Sequence, residues 1–313
     1  MFIVLAMTCI SINDMLIKLL SDGFPLHQIV FIRSAIGILF SLVILRFEGG
    51  FGLLLTGQLC LQLLRGLCIV AANMAYFAAI AVMPLADATA LFFVAPLFIT
   101  ILAVPFLGEP VGLRRVAAVV VGFLGVLIML RPGGIGPETA PDWRVLLLPI
   151  FAAFAYACMQ ILTRRLGVAS KASAMAIYLQ GTFIAVSSAF WFIAGDGRFA
   201  EEFENESAIF LLRAWIWPSD HDWLPLLLLG CLSAVIGYAL SQAYRLADAA
   251  TIAPFEYTAL PLSIFWGWMI FGQFPDRWVL SGIAMIAAAG IYVFVREQKN
   301  SRHVGGARPL RRV

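Results

Sequence analysis

The sequence predicts an all-α membrane protein of ten transmembrane helices arranged as two inverted five-helix repeats. Three observations predict it. The 313 residues are 62% hydrophobic and 12% charged, whereas soluble domains run near ~45–50% apolar and about 25% charged. The apolar residues fall into runs of about 20, and at 1.5 Å per residue such a run spans a hydrocarbon core of about 30 Å. Short motifs of the first half also recur, in the same order, in the second half.

The ten predicted helices are 2–20, 25–46, 58–82, 86–107, 112–130, 143–166, 170–194, 222–246, 248–272 and 276–296. Most links between them are a few residues long, and Pro84, Pro110 and Pro275 mark three tight ones. The first helix holds Asn13 and Asp14 inside its apolar run, and no basic segment precedes it. That composition argues against a removable signal peptide. The ninth carries Pro254, Pro261 and, between them, Glu256 beside Tyr257. A carboxylate at the centre of a bilayer costs about 2.5–3.5 kcal/mol on insertion scales. Proline is tolerated there where neighbours or water satisfy the freed carbonyls. Both features predict a helix that faces a polar cavity rather than lipid.

The long link at 195–222 is rich in acids, and its middle, 210–218, is too short to span. It reads as a surface hairpin or as a functional lid, with Trp215 and Trp217 suited to a membrane interface. Basic residues set the orientation. With the N-terminus in the cytoplasm, the inner links hold Arg46, Arg114, Arg115, Arg164, Arg165, Lys171 and Arg245, and the tail adds Arg296, Lys299, Arg302, Arg308, Arg311 and Arg312. The other side receives Lys18, Arg131, Arg144, Arg198, Arg213 and Arg277. This bias predicts both termini inside, with a basic tail at 297–313 near anionic lipid.

The repeat is carried by three matches. Leu85-Ala86-Asp87-Ala88 recurs as Leu246-Ala247-Asp248-Ala249. Ala95-Pro96-Leu97 recurs as Leu260-Pro261-Leu262, and Gly108-Glu109-Pro110 as Gly272-Gln273-Phe274. The offsets are 161, 165 and 164 residues, close to five helices. An odd number of crossings inserts the second copy upside down, the arrangement that gives transporters a site near the midplane between their halves. On these runs (83–98, 108–133 and their counterparts at 246–262 and 272–294) the chain resembles the drug/metabolite transporter superfamily, in its ten-helix EamA-type branch. The resemblance implies two EamA units, 1–130 and 143–296, joined by a linker at 131–142 on the outer side, and a multi-pass carrier of small metabolites in the inner membrane. It is similar to members that carry amino acids, S-adenosylmethionine or riboflavin. One departure is Gln273, where the family has Glu.

Candidate substrate-binding residues are Glu256, Tyr257, Asp14, Asn13, Arg65, Gln160 and Gln242. Glu256 is also the proton-coupling candidate, because desolvation suits a carboxyl to proton uptake. Each has a plainer reading beside the functional one. Asp14 and Lys18, four residues apart, can pair along their helix. Tyr257 can pack rather than bind. Arg33 and Arg65 can snorkel to the headgroups or recognise an anion. Gln160, Gln180, Gln242 and Asn73 can bridge helices. Asp87 and Asp248 read as helix caps.

The composition excludes other classes. No GxxxxGK[ST] loop is present to bind ATP. No HExxH, paired-aspartate or Ser–His set supports an enzyme. The three histidines form no metal-ligand cluster, the five cysteines form no CxxC, and no cofactor is expected. A net charge of +3 does not argue for nucleic acid. The expected partners are a small-molecule substrate and the lipid bilayer. The leading function is a secondary active transporter of a small organic metabolite such as an amino acid, possible proton coupling included. The alternatives are a riboflavin or S-adenosylmethionine carrier and a non-transporting membrane sensor or scaffold.

Overall fold

A computed structural model describes residues 2–55, 57–107, 113–130, 143–166, 172–200, 206–246 and 255–305. Among these residues there are twelve α-helices and no strand. They are α1 (Phe2–Leu20), α2 (Leu26–Glu48), α3 (Leu59–Val82), α4 (Leu85–Phe92), α5 (Ala95–Leu107), α6 (Leu113–Leu130), α7 (Trp143–Leu166), α8 (Ala172–Ala194), α9 (Glu206–Leu212), α10 (Trp223–Leu246), α11 (Ala259–Phe271) and α12 (Arg277–Gly305). Six segments are long and apolar enough to cross a membrane, and four shorter apolar helices accompany them. These ten correspond to the ten predicted spans.

The predicted helix 86–107 is broken into α4 and α5. Proline has no N–H, and its ring crowds the carbonyl four residues earlier. For Pro96 that carbonyl belongs to Phe92, the last residue of α4. The second copy repeats the device. Pro261 leaves the carbonyl of Tyr257 without its helical donor, and Tyr257–Thr258 forms a turn before α11. The Leu260 amide takes the Tyr257 carbonyl at 3.1 Å instead. The first part of the predicted ninth span, 248–254, lies outside the described residues, and Asp248 with it. The two breaks meet, with the rings of Phe93 and Tyr257 5.2 Å apart.

Helix contacts carry the internal symmetry. Number the spans one to ten, with α4 and α5 as the fourth and α7, α8, α10, α11 and α12 as the sixth to tenth. Adding five to a span number then exchanges α3–α7 with α10–α1, α3–α8 with α10–α2, and α5–α7 with α11–α1, all of which pack. The pairs α2–α8, α6–α12 and α4–α11 also pack, and each maps onto itself. Paired counterparts run antiparallel. His27, Arg33 and Ser41 along α2 face Phe190, Phe183 and Gln180 in descending order along α8. Gly125 of α6 faces Met285 and Ile286 of α12, and Met129 faces Gly282. Exchange between antiparallel counterparts is a two-fold axis perpendicular to the helices, which is an inverted repeat and not a translation. Gly125 and Gly282 let α6 and α12 approach so closely that a Cβ on Gly282 would lie 2.9 Å from the Gly125 carbonyl oxygen.

Two boundaries differ from expectation. α12 continues to Gly305 rather than stopping near 296, so the first part of the basic tail prolongs the last span as a helix. The 195–222 link holds the short helix α9 and an extended stretch after it, both laid on the bundle.

Candidate functional site

A buried polar cluster sits where α1, α2, α3 and α4 converge. Asp14 accepts from Asn13 Nδ2 on Oδ1 at 3.1 Å and from the Tyr76 hydroxyl on Oδ2 at 3.1 Å. Tyr76 Oη also bonds Thr89 Oγ1 at 3.0 Å, and Thr89 donates to the Leu85 carbonyl of its own helix at 2.7 Å. Arg33 reaches Asn13 Oδ1 at 3.4 Å, and its guanidinium lies between the rings of Phe77 and Phe183, 5.5 Å from each centroid. The Arg33 and Asp14 charges act on one another. Asn13, Asp14, Arg33, Tyr76 and Thr89 are all buried. They stand four to seven residues from Leu20, Leu26, Val82 and Leu85 at one end of the bundle, a depth of roughly 6–10 Å. A charged pair at such depth persists when partners satisfy it, and these residues supply them.

An aromatic ladder leads from this cluster to the second half. The ring of Tyr76 lies 5.2 Å from Phe92, and Phe92 lies 5.4 Å from Tyr156 of α7. The Tyr156 hydroxyl accepts from Gln160 Nε2 at 2.7 Å. Half-buried Glu256 is close enough to Tyr156 for its charge to act on that hydroxyl. Next to it, Tyr257 is buried, with its ring against Phe93 and its hydroxyl in the hollow left by Gly290. That hydroxyl has no hydrogen-bond partner among the described residues. An acid from each half, Asp14 of α1 and Glu256 of the broken ninth span, therefore stands at either end of one row of rings.

Asn13, Asp14, Gln160, Glu256 and Tyr257 thus belong to one connected set. Arg65 does not. It is buried and donates to Gln62 Oε1 at 3.1 Å, eleven residues and roughly 16 Å before Tyr76 along α3. The side chain of Gln242 lies outside the described residues. Tyr76, Thr89, Phe92 and Tyr156 were absent from the predicted set. Nothing in their spacing marks them, because three separate helices bring them together.

The plainer readings divide. Asp14 and Lys18 do not pair. Lys18 Nζ instead donates to the carbonyls of Ile80 and Met83 at 2.5 and 2.6 Å, at the C-terminal end of α3. That end carries orphaned carbonyls and the negative pole of the helix dipole, while Asp14 takes Asn13 and Tyr76. Arg33 and Arg65 are buried and do not snorkel. Gln180 bridges helices, donating to Ser41 Oγ at 3.2 Å, and Asn73 bonds its own helix at Ile69. Asp87 is the third residue of α4 and not its cap, since Pro84 takes the cap position. Its carboxylate lies in electrostatic range of Lys18. Trp217 is 87% exposed, as expected of an interface residue, but Trp215 is packed between His27, Phe31 and Trp191. Among the described residues no group of His, Cys, Asp or Glu is arranged to hold a metal ion, and all five cysteines are free.

Comparison with known proteins agrees with this architecture. Residues 1–131 match the model of the EamA-like transporter family. A riboflavin transporter of Rhizobium johnstonii is 30% identical over 282 residues, covering 90% of this chain and 84% of its own. An S-adenosylmethionine uptake transporter of Rickettsia prowazekii is 28% identical over 305 residues, covering 96% and 94%. A solved crystal structure superposes with a TM-score of 0.61 at 16% identity, over 95% of this chain and 96% of the other. At that identity the superposition speaks for the fold.

Proposed function

The chain belongs to the EamA-like transporter family, and on that premise we propose that it carries a ring-bearing small metabolite across the inner membrane by alternating access. The protein is a transporter of small metabolites and not an enzyme. Support for the ring comes from the Tyr76–Phe92–Tyr156 row between Asp14 and Glu256. Aromatic side chains of such a row, here tilted at 53° and 60° to one another, offer faces and edges to a flat solute, and polar groups at each end orient it. Riboflavin and S-adenosylmethionine, the solutes in the relatives' names, each combine a flat heteroaromatic ring with hydrogen-bonding groups.

In this reading the units 1–130 and 143–296 rock about the two-fold axis, joined by the 131–142 linker. The termini face the cytoplasm, as the basic bias supports. Asn13, Asp14, Gln160 and Tyr257 hydrogen-bond the solute. Glu256 takes up the coupling proton, since it stands in the span whose break adjoins the ladder. The opposed charges of Arg33 and Asp14 favour a second reading, a zwitterion such as an amino acid.

The test is exchange in proteoliposomes with labelled riboflavin, S-adenosylmethionine and an amino-acid mixture. The ring-bearing solutes are expected to exchange, and Tyr156→Ala to slow them. Glu256→Gln is expected to abolish the response to an imposed pH gradient while exchange persists. An undiminished gradient response in that variant ends the proton role. Binding of these solutes without flux marks a sensor and overturns the carrier reading.

A further inference from the structure

The 195–222 link is tied to the opposite half from the one it grows out of. It is continuous with α8 and α10, spans seven and eight. Its limbs cross at a neck, where the Trp215 amide donates to the Gly195 carbonyl at 3.1 Å. Gly197 (φ 79°) lets the chain pass there, and a Cβ on it would meet Ala214 at 2.9 Å. The strap is the described stretch 206–222, and it is bonded to spans one to three. Ser207 Oγ donates to the Ala78 carbonyl of α3 at 2.9 Å. Arg213 donates to the carbonyls of Ser21 and Asp22 in the α1–α2 turn. Gln28 of α2 makes a two-way amide pair with Ile216, donating at 2.6 Å and accepting at 3.2 Å. His27 Nδ1 donates to the Leu211 carbonyl at 3.0 Å, and its ring lies between Phe190 and Trp215.

We propose that this strap is the gate at its end of the transport path, latched by Ser207, Arg213 and the Gln28–Ile216 pair. The inference rests on the carrier reading, because rocking of one half on the other shears every one of these bonds. A strap fixed to both halves must release before that end opens. It also sits directly over the polar cluster. Ala78, which takes the latch bond, follows Phe77, whose ring flanks Arg33. Phe183, the other ring flanking Arg33, lies on α8, whose last two turns set Phe190 against His27 and Trp191 against Trp215. A change in charge or occupancy at Asp14 and Arg33 therefore reaches the latch through two rigid helices. The latch joins side-chain bonds to main-chain groups with apolar anchors, since Phe210 is buried in the core and Trp215 packs on Phe31 and Trp191.

The experiment uses the full chain with its five native cysteines replaced. Phe31→Cys, beneath Trp215, reports access to a membrane-impermeant maleimide. Adding Gln28→Leu and Arg213→Ala is expected to raise the labelling rate about tenfold, since each leaves main-chain partners unmatched in the latched state. An unchanged rate overturns the proposal. In a second protein, Ala78→Cys and Ser207→Cys are joined by a short bifunctional methanethiosulfonate reagent. Flux of riboflavin and S-adenosylmethionine is expected to be lost on joining and to return on reduction, because a covalent tie keeps the strap on α3 when the latch bonds open. Full flux while joined overturns the gate. If the reduced protein moves neither solute, the ring-solute reading fails by itself, and the labelling rates still decide whether the strap opens.

Discussion

Tyr76→Phe separates the hydrogen bonds of the buried cluster from its packing. The ring contacts of Tyr76 with Phe77 and Phe92, at 5.5 and 5.2 Å, survive the change. The hydroxyl alone is lost. Thr89 keeps its bond to Leu85, so its oxygen stays satisfied. Asp14 loses the donor on Oδ2 and keeps Asn13 on Oδ1. A hydrogen bond to a charged group contributes about 1.5–3 kcal/mol, and a buried acceptor left unmade costs a similar amount. The variant is therefore expected to lose about 1.5–3 kcal/mol, or roughly 3–6 °C of melting temperature for a chain of this size. Tryptophan-fluorescence melts of protein purified in one detergent measure it. Asp14→Asn and the double variant complete the cycle, and a coupling energy above about 1 kcal/mol is expected for groups in direct contact. A Tyr76→Phe protein that melts within about 0.5 kcal/mol of the parent, with no coupling to Asp14, would refute the claim that this bond holds the carboxylate in place.

Three further outcomes follow from the packing and the link. Gly290→Ala puts a Cβ 1.6 Å from the Tyr257 hydroxyl and 2.3 Å from Cζ. The ring is buried and packs against Phe93, so moving it aside disturbs the core and a loss of about 1–3 kcal/mol is expected. Tyr257→Ala in the same chain should relieve most of it, as paired melts would show. Gly282→Ala meets the Gly125 carbonyl oxygen at 2.9 Å, and because backbone cannot swing aside a similar loss is expected in melts. Asp222, outside the spans, accepts from the Ser219 hydroxyl and amide at 2.6 and 2.9 Å, and these bonds hold its carboxyl below its ordinary value. A depressed folded value stabilises this turn above the ordinary value of about 3.9. That support is lost as pH falls through the folded value. Protection of the Ser219 amide, taken relative to the unstructured exchange rate at the same pH, should therefore fall in strong acid, and in Asp222→Asn at neutral pH. Equal protection in both proteins would count against the bond.

Ten spans, their order and the inverted relation of the halves were legible in the chain itself. Span length follows from membrane thickness, and orientation from the parity of five crossings, so both are readable one segment at a time. The breaks of spans four and nine went unpredicted, although Pro96 and Pro261 stand at them and a missing N–H acts locally on the carbonyl four residues back. The acids Asp14 and Glu256 stood out, since a charge inside an apolar run is visible in the segment itself. Partner choice did not. Lys18, one turn from Asp14, turned to the α3 carboxyl end, and Asp14 found Tyr76 sixty-two residues away. Tyr76, Phe92 and Tyr156 are ordinary apolar-span residues until α3, α4 and α7 meet. The strap's grip on α2 and α3 was equally unreadable, for side-chain bonds to main-chain groups leave no pattern in sequence. One-body terms, in which a residue meets its solvent and its own backbone, are written along the chain. Pairwise terms between distant helices exist only once the bundle is assembled, and the site is made of those.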